Sequence, residues 1–240
     1  MEDAYITKPK GFLAEGIYAG LKTAPGNSGT EDIYDVALLV SDPPANVAGV
    51  YTSNLVKGHS LTRSIELINK GMPFRAFVIN SKVANACVGK EGVKDAADVA
   101  EAVASALGIS SDEVLTASTG TIGVRLPVDK ISHAVPKLVS SLSDSKETAH
   151  RAERAIMTTD TVPKEVSASI TLSDGKTVTI SGMAKGSGMI CPVLATMIAV
   201  FTTDAGIDLP LLGSSPYYPQ PFRSSYEPGG PLAGRLPLHV

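Results

Sequence analysis

The chain has 240 residues and a formal net charge of −3, with 43% hydrophobic and 19% charged residues. This composition is typical of a globular protein that is long enough to bury a substantial core. The small negative charge gives no electrostatic basis for binding nucleic acid or an anionic membrane, so neither partner is expected.

The first third of the chain predicts a loop-rich start followed by strands. Residues 1–30 are glycine-rich and weakly patterned, with Phe12, Ile17 and Leu21 as expected anchors to a core and a loop at 24–30. β-Rich runs then predict three strands, at 34–40, 47–52 and 74–79. Asp42-Pro43-Pro44 is expected to end the first of these strands, and helical spacing predicts a helix at 61–70.

The middle of the chain predicts helices around one short strand. Residues 93–107 form the clearest helical pattern, and Gly108 stands where a left-handed C-terminal residue belongs. A strand is expected at 114–117, a second helix from Pro127, and a third helix to residue 156. Asp144 and Glu147 resemble a capping box at the start of that third helix.

The last third predicts a hairpin, a strand and an irregular tail. Residues 165–182 alternate around Asp174-Gly175, a pair that favours tight hairpin turns. A strand is expected at 197–201. Residues 208–240 contain seven prolines and four glycines, so we expect no packed element there and a disordered tail. Strands, helices and strands in that order predict an α/β fold of sheet layers covered by helices.

The cysteines and apolar runs indicate the expected compartment. Cys87 and Cys191 form neither a disulfide framework nor a zinc motif, so we expect free thiols and no metal site. The N-terminal residues lack the apolar core of a signal peptide. The longest apolar run, 189–201, is too short to span a bilayer and contains Pro192. The cytoplasm is the expected location.

Three features of the sequence are candidates for a catalytic or binding role. Lys185 lies in a glycine-rich run, but a phosphate-binding P-loop places its lysine after the glycines, so a solvated lysine in a glycine turn is favoured over nucleotide binding. Ser118-Thr119-Gly120 follows a strand, where a small-residue turn can aim amides at an oxyanion or simply reverse the chain. The histidines show neither triad nor ligand spacing: His59, His133, His150 and His239.

Thr196 interrupts an apolar run and is the candidate nucleophile. A mid-chain threonine hydroxyl is a weak nucleophile, but cleavage of the Ala195–Thr196 bond would create an α-amino group with a pKa of about 7.7–8.0. That amine can act as the general base for its own side chain. Such a site needs a small preceding residue, a supporting strand and a remote oxyanion hole, for which Thr119 and Gly120 are candidates. It requires no histidine.

Several segments together resemble the ornithine acetyltransferase family, also called glutamate N-acetyltransferase or ArgJ. The resemblance covers about residues 11–205. Seven motifs carry it in order: GFLAEGIYAGLK (11–22), DVALLVSD (35–42), AGVYTSNLVK (48–57), INSKVANACVG (79–89), ASTGTIGVRLP (117–127), AIMTTDTVPK (155–164) and GMAKGSGMICPVLATM (182–197).

This resemblance implies a fold, a reaction and a set of site residues. The fold is a layered α/β (α+β) sandwich of the ArgJ/DmpA-like, autoprocessing N-terminal-nucleophile type. The precursor cuts itself between Ala195 and Thr196, and Thr196 carries acetyl from N-acetylornithine to glutamate in a ping-pong reaction of arginine biosynthesis. Thr119 and Gly120 match the oxyanion-hole pair, and Thr159 and Lys185 match substrate-binding positions in the α chain. No cofactor is implied.

The resemblance also implies an organisation of the chain. Residues 1–195 correspond to the α chain, 196–207 to the start of the β chain and 208–240 to the tail. In the family, two α and two β chains assemble, and some members also use acetyl-CoA, which the sequence leaves open.

The sequence departs from the family pattern in three places. It has NSKVANA at 80–86 in place of NSGNANA, and PVLAT at 192–196 in place of PNMAT. The family continues past residue 205 into a β chain, where this chain has its proline-rich tail. Two other hypotheses therefore stay open: an inactive, incomplete product that at most binds a partner, and a self-cleaving amidase or aminopeptidase of similar layout.

Overall fold

The computed structural model describes residues 3–23, 32–187 and 197–213. These residues form two β-sheets with helices packed against them, and an α/β fold is confirmed. The elements are, in chain order, β1 (Phe12–Ile17), β2 (Val36–Ala45), α1 (His59–Ile68), β3 (Phe74–Asn80), α2 (Glu91–Leu107), a 3-10 turn (Ser111–Glu113), β4 (Val114–Ser118), α3 (Val128–Ser140), α4 (Lys146–Ile156), β5 (Lys164–Thr171), β6 (Thr177–Lys185), β7 (Ile198–Thr203) and α5 (Leu209–Gly213).

The first sheet has the strand order β1-β2-β3-β4. β1, β2 and β3 pair antiparallel, whereas β3 and β4 pair parallel. Parallel neighbours need a crossover connection, and the segment containing α2 supplies it. In this register Asn80 lies opposite Ser118, so the carboxyl ends of β3 and β4 meet at one edge of the sheet.

The two faces of the first sheet contribute to different cores. Alternate residues of a strand point to opposite faces, and β2 divides its side chains accordingly. One face packs on α2 and α3, in a core that includes Val36, Leu38, Val40, Val78, Val99, Val103, Ile131, Val135 and Leu138. The other face packs on α4, in a core that includes Ala14, Ala37, Leu39, Ile79, Ala149, Ala152 and Ile156.

The second sheet, β5-β6-β7, is antiparallel and reaches the same core as α4. Met183 of β6 and Val200 of β7 are buried there together with Ala152 and Ile156 of α4. α4 therefore shares one hydrophobic core with both sheets. This arrangement brings the end of β6 towards the edge of the first sheet where β3 and β4 end.

Most predicted elements are confirmed with small shifts of their ends. Gly108 ends α2 in the left-handed conformation, with φ of 68°. Phe12, Ile17 and Leu21 do contact the cores as predicted. The loop prediction at 24–30 lies outside the described residues. In the part of the chain that the structure describes, no helix is long and apolar enough to cross a membrane.

Two strand predictions near the N-terminus were wrong. β2 does not end at Asp42 but continues to Ala45, with an irregular register against β3 between Val40 and Ala45. A bulge of this kind accommodates prolines, which cannot donate to a regular ladder. The strand predicted at 47–52 is absent, because those residues follow the end of β2 as an irregular loop.

Three smaller corrections concern β1, a cap and the tail. β1 was not predicted. α4 begins after Ser145, whose hydroxyl accepts the amide hydrogen of Thr148, so the cap is Ser145 and not Asp144. Within the tail, five residues form α5, where Pro210 is tolerated because the first helical turn needs no amide donor there. Residues 214–240 lie outside the described residues.

Candidate functional site

The turn after β4 is tied to the end of β3 and to the loop that follows it. Thr119 is 1% exposed, and its amide donates to the carbonyl oxygen of Asn80 at 3.0 Å. Gly120 has φ of 132°, and a β-carbon there would overlap the backbone carbonyl of Lys82 and lie 2.7 Å from the nitrogen of Val83. Only glycine fits this position without moving the neighbouring loop.

A loop under backbone strain supports this turn. Three non-glycine residues between 82 and 87 have positive φ: Lys82 at 78°, Asn85 at 49° and Cys87 at 59°. Each such residue costs on the order of 1–3 kcal/mol, and such strain clusters at functional sites. The loop bonds to the turn through the amide of Thr121 and the carbonyl oxygen of Lys82, at 2.9 Å.

A polar network locks the carboxyl ends of β3 and β4 together. The hydroxyl of Ser118 donates to Oδ1 of Asn80 at 2.6 Å and lies 2.8 Å from the hydroxyl of Ser60. Nδ2 of Asn85 donates to the Ser60 hydroxyl at 3.1 Å. Because Asn80, Ser60 and Asn85 are buried, these bonds satisfy groups that would otherwise destabilise the fold. The network holds Thr119 in a defined position.

Lys185, at the end of β6, reaches the turn directly. Its side chain is buried, with the residue 4% exposed, and Nζ donates to Oγ1 of Thr119 at 3.3 Å. Burial lowers the pKa of Lys185, the charge of Asp160 raises it, and the charge of Lys164 lowers it further. A buried ammonium beside a hydroxyl can bind a carboxylate or stabilise negative charge that develops during a reaction.

Asp160 fixes the segment that follows Lys185. Its wholly buried carboxylate accepts hydrogen bonds from the amide of Gly186 and from Nζ of Lys164, both at 2.7 Å, and from the amide of Thr158 at 3.2 Å. Burial acts to raise the pKa of Asp160, but these bonds outweigh it and the pKa is lowered. Asp160 was not among the predicted site residues, although it closes the Thr158-Thr159-Asp160 motif.

Lys22 is a partly buried amine that reaches the end of α4. Its Nζ donates to the carbonyl oxygen of Tyr34 at 2.6 Å. Burial lowers the pKa of Lys22, the charges of Asp35 and Asp160 raise it, and that of Lys185 lowers it. Its Nζ also donates to the carbonyl oxygen of Arg154 at 3.5 Å, which places the amine beside the last turn of α4. Sequence reasoning missed Lys22, although it ends the first motif of the resemblance.

The predicted site residues are only partly brought together by the described structure. Thr119, Gly120 and Lys185 meet at one turn, and the exposed Thr159 lies beside Asp160 on the loop that Asp160 anchors. Ala195 and Thr196 lie outside the described residues. Ile198, two residues after Thr196 in the sequence, is the Cα partner of Lys185 in the β6–β7 ladder.

None of the described histidines is hydrogen-bonded to Thr119 or Lys185, although the amide of His59 donates to the carbonyl oxygen of Asn85 at 2.8 Å. His133 is hydrogen-bonded to the carbonyl oxygen of Asp129, and His150 is paired with Glu165. His59 begins α1, and His239 lies outside the described residues. Across residues 3–23, 32–187 and 197–213, no three His, Cys, Asp or Glu side chains are grouped so as to hold a metal ion.

Comparisons with known proteins converge on one family. The model of the ArgJ family matches residues 13–215. The arginine biosynthesis bifunctional protein ArgJ of Symbiobacterium thermophilum is 46% identical over 203 residues, which is 85% of this chain and 48% of the relative. The chain thus spans about half the length of the curated relatives it matches.

Solved structures are matched over nearly their whole chains. Arginine biosynthesis bifunctional protein argJ from Bacillus halodurans superposes with a TM-score of 0.73 at 37% identity, covering 82% of this chain and 96% of that one. Ornithine acetyltransferase from Mycobacterium tuberculosis, solved in complex with ornithine, gives 0.70 at 37% identity, covering 80% and 96%.

Proposed function

The chain belongs to the ArgJ family, and from that premise we propose that it forms the α-chain half of an autoprocessing acetyltransferase. The enzyme would move acetyl from N-acetylornithine to glutamate. The observation that carries the proposal is the 3.3 Å contact between Nζ of Lys185 and Oγ1 of Thr119, next to a turn that only Gly120 can complete. This contact joins two segments that sequence reasoning assigned to one site.

The first proposed step is self-cleavage. The peptide bond between Ala195 and Thr196 breaks with the consumption of one water, which leaves a carboxylate on Ala195 and a free amine on Thr196. The new amine has a pKa near neutrality and can accept the proton of the Thr196 hydroxyl. The pairing of Ile198 with Lys185 supports this assignment, because it anchors the strand that follows Thr196 beside the Lys185–Thr119 contact.

The second proposed step is acetyl transfer. The Thr196 hydroxyl attacks the acetyl carbonyl of N-acetylornithine, the C–N bond breaks, and ornithine leaves after its amine takes a proton. The amine of glutamate then attacks the acetyl ester, and N-acetylglutamate leaves as the Thr196 hydroxyl is restored. Thr119 and Gly120 are assigned to the oxyanion that forms in each half-reaction, a term worth about 3–4 kcal/mol for one donor.

Lys185 and Thr159 are assigned to substrate binding. Both proposed substrates carry an α-carboxylate, and a buried ammonium is a suitable partner for it. The exposed hydroxyl of Thr159 lies on the loop that Asp160 fixes against Gly186. Asp160 would therefore fix the positions of Thr159 and Lys185 relative to each other, without itself contacting substrate.

The proposal includes a partner and a compartment. We place this chain in an assembly of two α and two β chains, in the cytoplasm, with N-acetylornithine, glutamate and, as a further donor to be tested, acetyl-CoA as small-molecule substrates. No cofactor is required by this chemistry. The relatives' greater length supports the expectation that the transfer reaction needs the region this chain does not match.

Mass spectrometry of the purified chain tests the chemistry. We expect a fragment that begins at Thr196, and a mass increase of one acetyl group on that fragment after incubation with N-acetylornithine. Thr196→Ala should prevent both, whereas Thr196→Ser should retain part of each. Absence of cleavage and of the acetyl adduct, with the complementary region of a relative co-expressed, would overturn the proposal.

A second candidate function follows from the length of the chain. Because the chain matches about half of each relative, it is also a candidate for a folded but inactive partner-binding product. Turnover by this chain alone would exclude that function. Release of amino acids from peptides, without transfer to glutamate, would indicate an amidase or aminopeptidase instead.

A further inference from the structure

The two faces of the second sheet differ in polarity. In the antiparallel register, residues directly opposite each other share a face. The face towards α4 carries hydroxyl pairs, Ser167 with Ser181 at 2.7 Å and Ser169 with Thr179 at 2.9 Å. A sheet usually turns its apolar side chains to the core and its polar ones to water. Here the hydroxyl pairs lie on the side of the sheet that faces α4, where Ser181 is buried and the Ser169–Thr179 pair is exposed.

The opposite side of this sheet is apolar except at its margins, where Lys164 lies opposite Ala184 and Thr203 opposite Ile180. We call it the outer apolar face, and its residues are Val166, Ala168, Ile170, Val178, Ile180 and Phe201. Three of them are strongly exposed: Ile170 at 61%, Phe201 at 57% and Ile180 at 49%. The register joins them into one surface, since Ala168 lies opposite Ile180 and Ile170 opposite Val178.

Gly182 keeps this surface flat. It lies opposite both Val166 and Phe201, and a β-carbon on it would come within 2.6 Å of the Phe201 ring. The glycine therefore lets the aromatic ring lie across β6, where it covers the backbone and presents an apolar plane outwards. A ring held over a glycine is a built contact surface, in contrast to a single exposed side chain.

We propose that the outer apolar face is the docking surface for the polypeptide region of the ArgJ relatives that this chain does not match. That region amounts to about half of each relative's length. The solved argJ chain from Bacillus halodurans is matched over 96% of its length, so a chain of nearly this extent occurs as a separate polypeptide in a solved relative. Such a chain needs an apolar surface where the other half attaches.

The chemistry of the face agrees with that occupant. Contiguous apolar patches that are exposed on a folded chain mark protein interfaces. The centre of an obligate interface is depleted in charge and enriched in aromatic residues. The six residues of this face are all apolar and include one phenylalanine, whereas the charged Lys164 lies at the margin and pairs with Asp160. The identity of the occupant rests on the proposed function, whereas the binding experiment tests the interface without any assay of acetyl transfer.

Direct binding tests the proposal. The probe is the half of the Symbiobacterium thermophilum relative that this chain does not match. It is first co-expressed with the other half of the same protein, to establish that the two halves form a complex. The full 240-residue chain should then co-purify with this probe as one species by size-exclusion chromatography with light scattering. Ile170→Thr/Ile180→Thr keeps β-branched residues on the strands and should weaken binding by about 100-fold or more, as for central interface residues.

A matched control uses exposed apolar residues elsewhere. Leu55→Thr/Val56→Thr changes side chains that are 96% and 62% exposed but lie outside the outer apolar face, and it should bind like the unchanged chain. Both double variants should melt within a few degrees of the unchanged chain, because exposed positions contribute little to stability. Equal binding by all three chains would overturn the proposal.

Two further outcomes separate the interface from the reaction. If the chain alone forms a dimer that Ile170→Thr/Ile180→Thr abolishes, the face serves a second copy and the proposed occupant is wrong. If the complex forms through this face but no acetyl transfer follows, the interface stands and the proposed function fails. If Ile170→Thr/Ile180→Thr leaves both acetyl transfer and binding of the probe undiminished, the proposed interface is refuted and the proposed function stands.

Discussion

Arg151 binds Glu15 through two parallel hydrogen bonds, from Nε to Oε1 and from Nη2 to Oε2, each 2.7 Å long. Glu15 lies on β1 and is 2% exposed, and its Oε1 also accepts the amide of Gly16. The pair attaches α4 to the first sheet. A carboxylate this deeply buried depends on its partner, because removal of the partner leaves an uncompensated charge.

Arg151→Met should lower the free energy of unfolding by roughly 3–5 kcal/mol, the range for a buried ion pair that loses one member. Urea unfolding followed by circular dichroism measures it. Arg154→Met on the same helix is the control, since its 3.6 Å pair with Asp32 is exposed and should contribute less than about 1 kcal/mol. Equal effects of the two substitutions would show that the Glu15 contact is not specially stabilising.

Gly16→Ala should disrupt the same helix–strand contact by steric overlap. A β-carbon at Gly16 would overlap the carbonyl of Arg151 and lie 2.6 Å from the amide nitrogen of Ala152, so the α4 backbone would have to move. We expect a loss of about 3 kcal/mol or more. Gly206→Ala, where nothing lies within 4 Å, should unfold at nearly the same urea concentration as the unchanged chain; a similar loss there would point to a general effect of glycine replacement.

These two contacts explain why β1 was missed from the sequence. A strand is recognised by alternating large apolar residues. β1 instead carries Gly16 where the α4 backbone approaches, Ala14 in the core shared with α4, and a buried Glu15 between them. The residues are set by a partner about 135 positions away. By contrast, the Asp174-Gly175 hairpin and the Gly108 helix end depend on local chemistry, and both were predicted.

The candidate site likewise contains residues that the sequence predicts and contacts that only the folded chain reveals. Thr119, Gly120, Thr159 and Lys185 came from a turn pattern and a family resemblance, yet only the folded chain shows that Lys185 reaches Thr119 across 66 residues. Asp160 was not among the predicted site residues, because an aspartate shortly after a helix has an ordinary local explanation. Its bond to Gly186 depends on the packing of β6 near α4, which no local pattern encodes.

Lys82→Gly should stabilise the protein. The family pattern has glycine at this position, and Lys82 adopts φ of 78°, which costs an L-residue roughly 1–2 kcal/mol. Part of the gain is offset by the greater entropy of glycine in the unfolded chain, so we expect a net increase of about 0.5–1 kcal/mol. Lys94→Gly within α2 should have the opposite sign, about 1 kcal/mol destabilising. Thermal melting of both variants decides the matter.

Lys185→Met should impair acetyl transfer more than folding. The substitution removes the ammonium beside Thr119 while keeping an unbranched apolar chain in the buried pocket. If Lys185 holds a substrate carboxylate, kcat/KM should fall by about 100-fold, mainly through KM. Lys94→Met, which removes an exposed lysine, is the control in the same assay with the complementary region present. Unchanged kinetics of Lys185→Met would remove Lys185 from the site.

Glu153→Gln should remove a pH dependence of stability that is unusual for a carboxyl group. Glu153 is wholly buried on α4, and burial is the main cause that raises its pKa from 4.5 to about 8. The amide of Lys164 donates to Oε1 at 2.9 Å and lowers the pKa, the charges of Glu165 and Asp160 raise it, and the charge of Lys164 lowers it. The native state therefore keeps a proton that the unfolded chain releases above about pH 4.5.

The sign of the effect follows from this difference in bound protons. Stability falls with rising pH wherever the native state binds more protons than the unfolded state. The contribution of Glu153 is thus complete below about pH 4.5 and is lost progressively as the pH rises to about 8, by a few kcal/mol in total. Glutamine can accept the same hydrogen bond but carries no titrating proton.

Urea unfolding at pH 5, 7 and 9 measures this loss as the difference between the unchanged chain and Glu153→Gln, which cancels the contributions of other titrating groups. The variant should gain relative stability at each step and should be the more stable of the two at pH 9. Glu66→Gln, at an exposed glutamate of α1, should track the unchanged chain at all three pH values. A difference between Glu153→Gln and the unchanged chain that stays constant from pH 5 to 9 would mean that Glu153 is already ionised in the native state, and that the buried carboxylate is stabilised by Lys164 more strongly than burial opposes it.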